Sequence, residues 1–172
     1  MQSTEKLIPP AEPGAWTLEQ IQAALSRPLP KSILATRRQG GTNLLYLPWY
    51  EANRILDKYA PGWTWEIRTL TAVGDRLFLV GRLTIPTCEG NIYREATGTE
   101  MLKEEKEVWL GEKPDTSKAQ ASQRYLLKDQ LGRPVTEARE LAYGDPSSNA
   151  ESMAFRRAAA RFGLALYLYD KD

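Results

Sequence analysis

Arg156, Arg157 and Arg161 lie in the stretch Ser152–Tyr169, which contains no acid, although the whole chain of 172 residues carries a formal charge of only +1. Guanidinium groups are permanently charged, give bidentate contacts to phosphate and stack on flat rings, so a cluster of them without acids suits a polyanion. A second acid-free window, Gln20–Tyr50, holds Arg27, Lys31, Arg37 and Arg38. If folding joins the two windows, they form a local basic groove for a phosphate backbone, where each neutralised phosphate releases a counterion. The near-neutral total charge also fits ordinary solvated surface arginines, so the charge pattern alone leaves both readings open.

Other chemistry is narrowed by what is missing. The sequence has no histidine, which removes the commonest general base and zinc ligand and rules out Ser-His-Asp and Cys-His arrangements. Its one cysteine, Cys88, stands between Thr87 and Glu89 in a turn-like stretch with no adjacent base, and reads as a small polar residue in a reducing compartment. Neither G-x-x-x-x-G-K-[ST] nor G-x-G-x-x-G occurs. The adjacent acids Glu104 and Glu105, read on a helix, would point about 100° apart and form a solvated face rather than a catalytic pair. A binding protein is expected, with no catalytic residue, metal site or cofactor. No apolar run is long enough to span a bilayer and no secretory leader is visible, so a cytoplasmic, nucleoid-associated protein without membrane contact is expected.

The elements that must position the arginines follow from periodicity. Ser148 to Phe162 is expected to be a helix, capped by Ser147 or Ser148 and closed by Gly163, with Phe155, Ala158, Ala159 and Phe162 on a core face. Thr17 and Gln20 form a capping box, with Trp16 and Ile21 spaced as a staple, for a short helix Leu18–Leu25 stopped by Pro28 and Pro30. Lys31–Arg38 and Leu44–Leu47 flank Gly40-Gly41 as a candidate hairpin. Pro48 opens a helix in which Trp49, Ala52, Ile55, Leu56 and Tyr59 recur on a core stripe. Three strands, Trp63–Ala72, Arg76–Ile85 and Asn91–Thr99, with turns at Gly74-Asp75 and Glu89-Gly90-Asn91, make an antiparallel meander.

The expected fold is therefore α+β: a β-β-β-α core packed on a long C-terminal helix, with an N-terminal hairpin and helix. Residues 1–15, with Pro9, Pro10, Pro13 and Gly14, are expected to be a flexible arm, and 16–172 one domain. Within it, 101–146 reads as an insertion or lid, with helical character at Thr116–Leu131 and a short helix at Val135–Tyr143. Five tryptophans and eight tyrosines could stack on bases, but none is assigned to that role.

The order of these words resembles the single-strand-annealing recombination proteins of the Rad-fifty-two type, including their bacterial and phage relatives and the DNA-damage-response A group. The resemblance runs from about Leu29 to Asp172. It rests on Ala35-Thr36-Arg37-Arg38-Gln39-Gly40-Gly41 leading to Tyr46 and the helix Pro48–Tyr59, on Gly62-Trp63 at the start of the meander, and on Arg156-Arg157, Arg161-Phe162-Gly163 and Tyr169-Asp170-Lys171-Asp172 at the end. It implies a homo-oligomeric ring with single-stranded DNA in a basic groove, and annealing of complementary strands without ATP. The implied DNA contacts are Arg156, Arg157 and Arg37 or Arg38, with Lys31 beside them and Arg161 one position beyond the family's third basic residue, which Ala160 replaces here. Cys88 stands where the family carries a lysine associated with an outer DNA site, which puts that second site in question. A single-strand-binding protein is a candidate partner, although a chain ending at Asp172 is expected to lack the partner-binding extensions of eukaryotic relatives. The alternative is a non-annealing protein of the same fold that protects DNA ends or acts as an adaptor through residues 101–146.

Overall fold

The computed structural model describes residues 7–39, 41–110, 126–140 and 145–170. Helix α1 (Leu18–Leu25) begins at the capping box: the Thr17 hydroxyl accepts the Gln20 N–H at 3.2 Å, and the Gln20 side chain accepts the Thr17 N–H at 2.9 Å. A one-turn 3-10 segment, Lys31–Ile33, leads into a hairpin of β1 (Ala35–Gln39) and β2 (Thr42–Tyr46). Helix α2 (Trp49–Tyr59) follows, with Pro48 just outside it as the cap rather than as its first residue. The meander is β3 (Thr64–Val73), β4 (Arg76–Thr87) and β5 (Gly90–Met101), an antiparallel sheet in the order β3-β4-β5 with an irregularity between Ile67 and Thr69. A separate ribbon pairs β6 (Lys103–Glu107) with β7 (Thr136–Glu140), and helix α3 (Pro146–Ala160) closes the chain together with a 3-10 turn at Leu166–Leu168. This is the expected α+β architecture.

Along β4, Leu77, Leu79, Leu83 and Ile85 point inward in strict alternation, and α3 lies across β4 and β5 on that face. Phe155, Ala158, Ala159 and Phe162 are all at most 5% exposed, so the expected core face of the helix is the observed one. Each large side chain buried here contributes roughly 1.5–3 kcal/mol. Small residues set the spacing. A Cβ built on Gly98 of β5 would lie 1.8 Å from the carbonyl oxygen of Ala150, so helix and strand touch backbone to backbone. The α2 stripe divides: Ala52 and Leu56 are fully buried, Ile55 and Tyr59 pack at the margin of the core, and Trp49 is half exposed.

Two expectations are corrected. Helix α3 starts at Pro146 and ends at Ala160, and its cap is Asp145, not Ser147 or Ser148. The Asp145 carboxylate takes the Ser147 N–H at 3.0 Å and its hydroxyl at 2.6 Å, and Pro146 occupies the first turn, where its missing N–H is not needed. Phe162 and Gly163 belong to the closing turn, where Gly163 takes φ +103° and the Leu164 N–H returns to the Ala159 carbonyl at 3.2 Å. Beyond α2, neither helix expected within 101–146 is found where that segment is described. Leu126 and Lys128 make isolated bridges to Trp109 and Pro134, and Thr136–Glu140 is a strand. The reason is long-range pairing with β6, in the register Lys103 to Glu140 through Glu107 to Thr136, with the Thr136 hydroxyl donating to Glu105 across the ladder; the ion pairs run along the strands, Lys106 to Glu104 and Arg139 to Glu137. Ladder hydrogen bonds and cross-strand side-chain contacts between distant segments override the weak local preference of Thr-Glu-Ala-Arg-Glu for a helix. Residues 116–125 and 141–143 of those expected helices lie outside the described residues. Glu104 and Glu105 accordingly sit on opposite faces of a strand.

Gly98→Val should destabilise the fold by about 1–3 kcal/mol or more through overpacking, measured by urea unfolding. The Asp145 carboxyl is held below its ordinary value, first by the Ser147 hydroxyl and then by backbone N–H groups, so its capping contribution is complete above the unfolded value and is lost as pH falls through the lower folded one. Asp145→Ala should therefore lower Tm at pH 7 by more than at pH 3, as read by thermal melts.

Candidate nucleic-acid interface

The two acid-free windows meet. The β1–β2 hairpin, α3 and the Leu166–Leu168 turn enclose a groove of about 600 Å³ lined by Arg37, Tyr46, Arg156, Arg157, Tyr167 and Tyr169 among others. The sequence builds each wall locally. Hairpin register places Ala35 opposite Tyr46 and Arg37 opposite Leu44, so Arg37 and Tyr46 share one face of the ribbon. On α3, the alanine face that approaches the sheet leaves Met153, Arg156 and Arg157 on the groove side.

Tyr46 is the hub. The guanidinium carbon of Arg37 lies 6.0 Å from its ring centroid and that of Arg156 lies 5.0 Å from it. Cation–π attraction of this kind is worth roughly 0.5–1 kcal/mol at exposed sites and more when desolvated. Arg157 donates from Nη1 to the Thr97 carbonyl at 2.9 Å, on the edge strand β5. Asp170 is the one acid among the described residues lining the groove, and it makes no ion pair with the arginines.

The electrostatics of the groove are dominated by positive charge. Burial pushes the Arg156 guanidinium below its ordinary value; Tyr169 opposes this, and repulsion from Arg37 and Arg157 adds to it. The group nonetheless stays charged at neutral pH, because a guanidinium gives up its proton only in strong base. Three like charges are thus held beside one another; the aromatic face of Tyr46 compensates Arg37 and Arg156, and the Thr97 carbonyl compensates Arg157.

Of the sequence-derived residues, Arg37, Arg156 and Arg157 line the groove. Lys31, Arg38 and Arg161 are exposed and do not: Lys31 precedes the hairpin, Arg38 alternates away from the face that Arg37 shares with Tyr46, and Arg161 follows the last helical residue. Tyr46 and Tyr169 were not assigned from sequence. The hairpin register, once fixed by the two-residue Gly40-Gly41 connection, could have identified Tyr46. Cys88 is exposed and unbridged at the tip of the β4–β5 turn. Among the described residues no cluster of three or more potential ligands is placed to hold a metal, and no helix is long and apolar enough to cross a membrane.

Comparison with known proteins gives the chain a family. The chain is 32% identical over 157 residues to the DNA repair RAD52-like protein 1, mitochondrial, of Arabidopsis thaliana, covering 90% of this chain and 69% of that relative. The chain belongs to the RAD52-like family. It is also 32% identical over 156 residues to the DNA repair RAD52-like protein 2, chloroplastic, of the same plant, and spans only 60% of that relative's length. No family model matches. In this member of the family Arg37, Arg156 and Arg157 converge on one groove, although its total charge is close to zero.

Arg156→Met keeps the packing of the side-chain stem while removing a desolvated charge with two like neighbours. It should raise Tm; a lower Tm in differential scanning calorimetry would show that the contact with Tyr46 outweighs the repulsion.

Proposed function

We propose that this protein binds single-stranded DNA along the Arg37–Tyr46–Arg156–Arg157 groove and promotes annealing of complementary strands in recombinational DNA repair, without ATP and without making or breaking a covalent bond. The observation that carries this reading is the convergence, on one groove, of arginines from sequence positions more than a hundred residues apart, with their charges uncompensated by acids. The names of its relatives, both DNA repair RAD52-like proteins, support the same reading.

The mechanism is electrostatic. Two phosphate chains repel each other, and this repulsion opposes their encounter. A strand lying in the groove has part of its charge neutralised by Arg37, Arg156 and Arg157, and it exchanges condensed counterions for fixed guanidinium groups. Tyr169, 51% exposed, and Tyr167, 41% exposed, offer ring faces for stacking sugars or bases beside the phosphate track. Holding one strand extended with its pairing edges outward lowers the barrier to pairing and leaves the equilibrium between strands unchanged. Lys31, Arg38 and Arg161 extend the basic surface around the groove in this reading.

One chain contributes only a short track, so a ring or other homo-oligomer that lines grooves up end to end completes the function. An open sheet edge supports it: β3 is the outermost strand of the meander and is exposed along nearly its whole length, and such an edge is a template for pairing with another chain.

Arg156→Ala combined with Arg157→Ala should abolish binding of a labelled single strand in an anisotropy assay while leaving mass and circular dichroism unchanged. A single-strand site loses about 0.7 in the slope of log affinity against log salt per phosphate contact removed, so Arg37→Ala alone should flatten the slope by about that much. Retained affinity in the folded double variant would refute the groove assignment. Pairing of complementary strands followed by fluorescence separates annealing from end protection: an end protector slows an exonuclease but does not accelerate pairing. Mass measurement with and without a long single strand should give a multimer; a persistent monomer would favour the adaptor reading.

A further inference from the structure

A second cavity, of about 280 Å³, lies on another side of α3, between that helix, α2 and the start of β3, and it shares no lining residue with the basic groove. Its walls are aromatic: Trp49, Trp63, Trp65 and Phe155. The rings are held in place. Trp63 donates its indole N–H to Asp57 at 2.8 Å, Trp65 donates its own to Glu151 at 3.0 Å, and both indoles pack on Phe155, with centroids 5.5 and 5.2 Å away. Trp49 is 49% exposed, an unusual position for the largest apolar side chain of the protein.

Glu151 gives the cavity its sign. Its carboxylate is half buried, accepts only the neutral indole of Trp65 through Oε1, and makes no salt bridge with any described basic side chain. Indole faces and a carboxylate both attract cations, the former through the ring quadrupole, and a guanidinium can stack on an indole while donating to a carboxylate. The same charge repels a phosphate chain, which separates this cavity from the groove that Arg156 and Arg157 line. At about 280 Å³ the space falls just below the usual lower bound of roughly 300 Å³ for small-molecule sites. That is room for the end of one side chain, not for a cofactor.

We propose that this cavity is a socket for an arginine side chain presented by a partner protein. Trp49 is its outer wall, Trp63, Trp65 and Phe155 are its floor, and Glu151 is the counter-ion. Locked ring orientations mean that little is ordered on binding, and the opposite signs of the two sites let one helix hold a polyanion and a cationic partner together.

The test uses the full chain labelled with fluorotryptophan, whose five tryptophan signals are followed by fluorine NMR while N-acetyl-arginine amide is added at constant ionic strength. The signals of Trp49, Trp63 and Trp65 should shift with a saturable curve, and those of Trp16 and Trp109 should not. The citrulline analogue, equal in shape but uncharged, should bind at least tenfold more weakly. Glu151→Gln keeps an acceptor for the Trp65 indole and removes the charge, so it should weaken the arginine probe tenfold while leaving the melting curve unchanged. Trp49→Ala, at a half-exposed position, should abolish the response. Equal binding of citrulline, undiminished binding to Glu151→Gln, or the absence of any saturable shift overturns the proposal. So does a titration in which thymidine moves these signals and the arginine probe does not, which would make the cavity a base pocket.

Discussion

The close approach of α3 to strand β5 governs the rest of the molecule. Gly98 leaves no room for a Cβ against the Ala150 carbonyl, and Ala150 and Ala154 present the smallest possible helix face to the strand. A helix seated this near brings Arg157 within hydrogen-bonding reach of the Thr97 carbonyl on the same strand. It also sets Arg156 over Tyr46 of the hairpin. The groove is therefore a consequence of packing density on one side of the helix, expressed as charge on another. A bulkier residue at either small position would lift the helix and widen the groove before it touched any arginine.

That geometry holds a tension. Arg156 gives up water without gaining a carboxylate, and it stands beside two further guanidinium groups. Such a cluster opposes folding, whereas acids could have been placed to relieve it. Compensation by a ring face, as at Tyr46, differs in kind from compensation by an acid: it stabilises the cation while leaving its N–H donors free for a phosphate. Under the proposed function, stability withheld from the unliganded protein is returned when a polyanion binds, the usual trade between stability and function at a site. Among the described residues the ion pairs lie away from the groove, as in Arg54–Glu51 of α2, Arg68–Glu66 and Arg82–Glu95 of the meander, and Lys106–Glu104 and Arg139–Glu137 of the ribbon.

What the sequence disclosed follows the range of the forces involved. Helix α1 was legible to the residue because a capping box is a local chemical statement about Thr17 and Gln20. The meander was legible because alternation in Leu77, Leu79, Leu83 and Ile85 reports one buried face. The start of α3 was misplaced by two residues because Ser147 and Ser148 are good caps in isolation, and only the Asp145-Pro146 pair, with the acid outside and the proline in the first turn, decides between them. Strand β7 falls within the short helix expected at Val135–Tyr143, because its ladder partner β6 lies some thirty positions earlier, beyond the reach of local pattern. At the site, acid-free windows identified Arg37, Arg156 and Arg157 but could not separate them from Lys31, Arg38 and Arg161, since charge composition carries no side-chain direction. The aromatic cavity was invisible for a related reason: Trp63 and Trp65 carry the alternation of core residues, and nothing local shows that Glu151, 86 residues from Trp65, completes their environment.

Helix α3 thus carries three surfaces at about 100° per residue: alanines toward the sheet, arginines toward the hairpin, and Glu151 with Phe155 toward the tryptophans. Their order around the helix matters electrostatically. Glu151 and Arg156 point to different sides, so each keeps its own field in a partly desolvated setting where pairing would have cancelled both. Had the acid stood at position 152 or 153, it would have faced Arg156 or Arg157 at i,i+4 and quenched the groove. A helix of 15 residues is long enough to separate the two signs and, through the alanine face, rigid enough to hold both sites at a fixed distance from the same sheet.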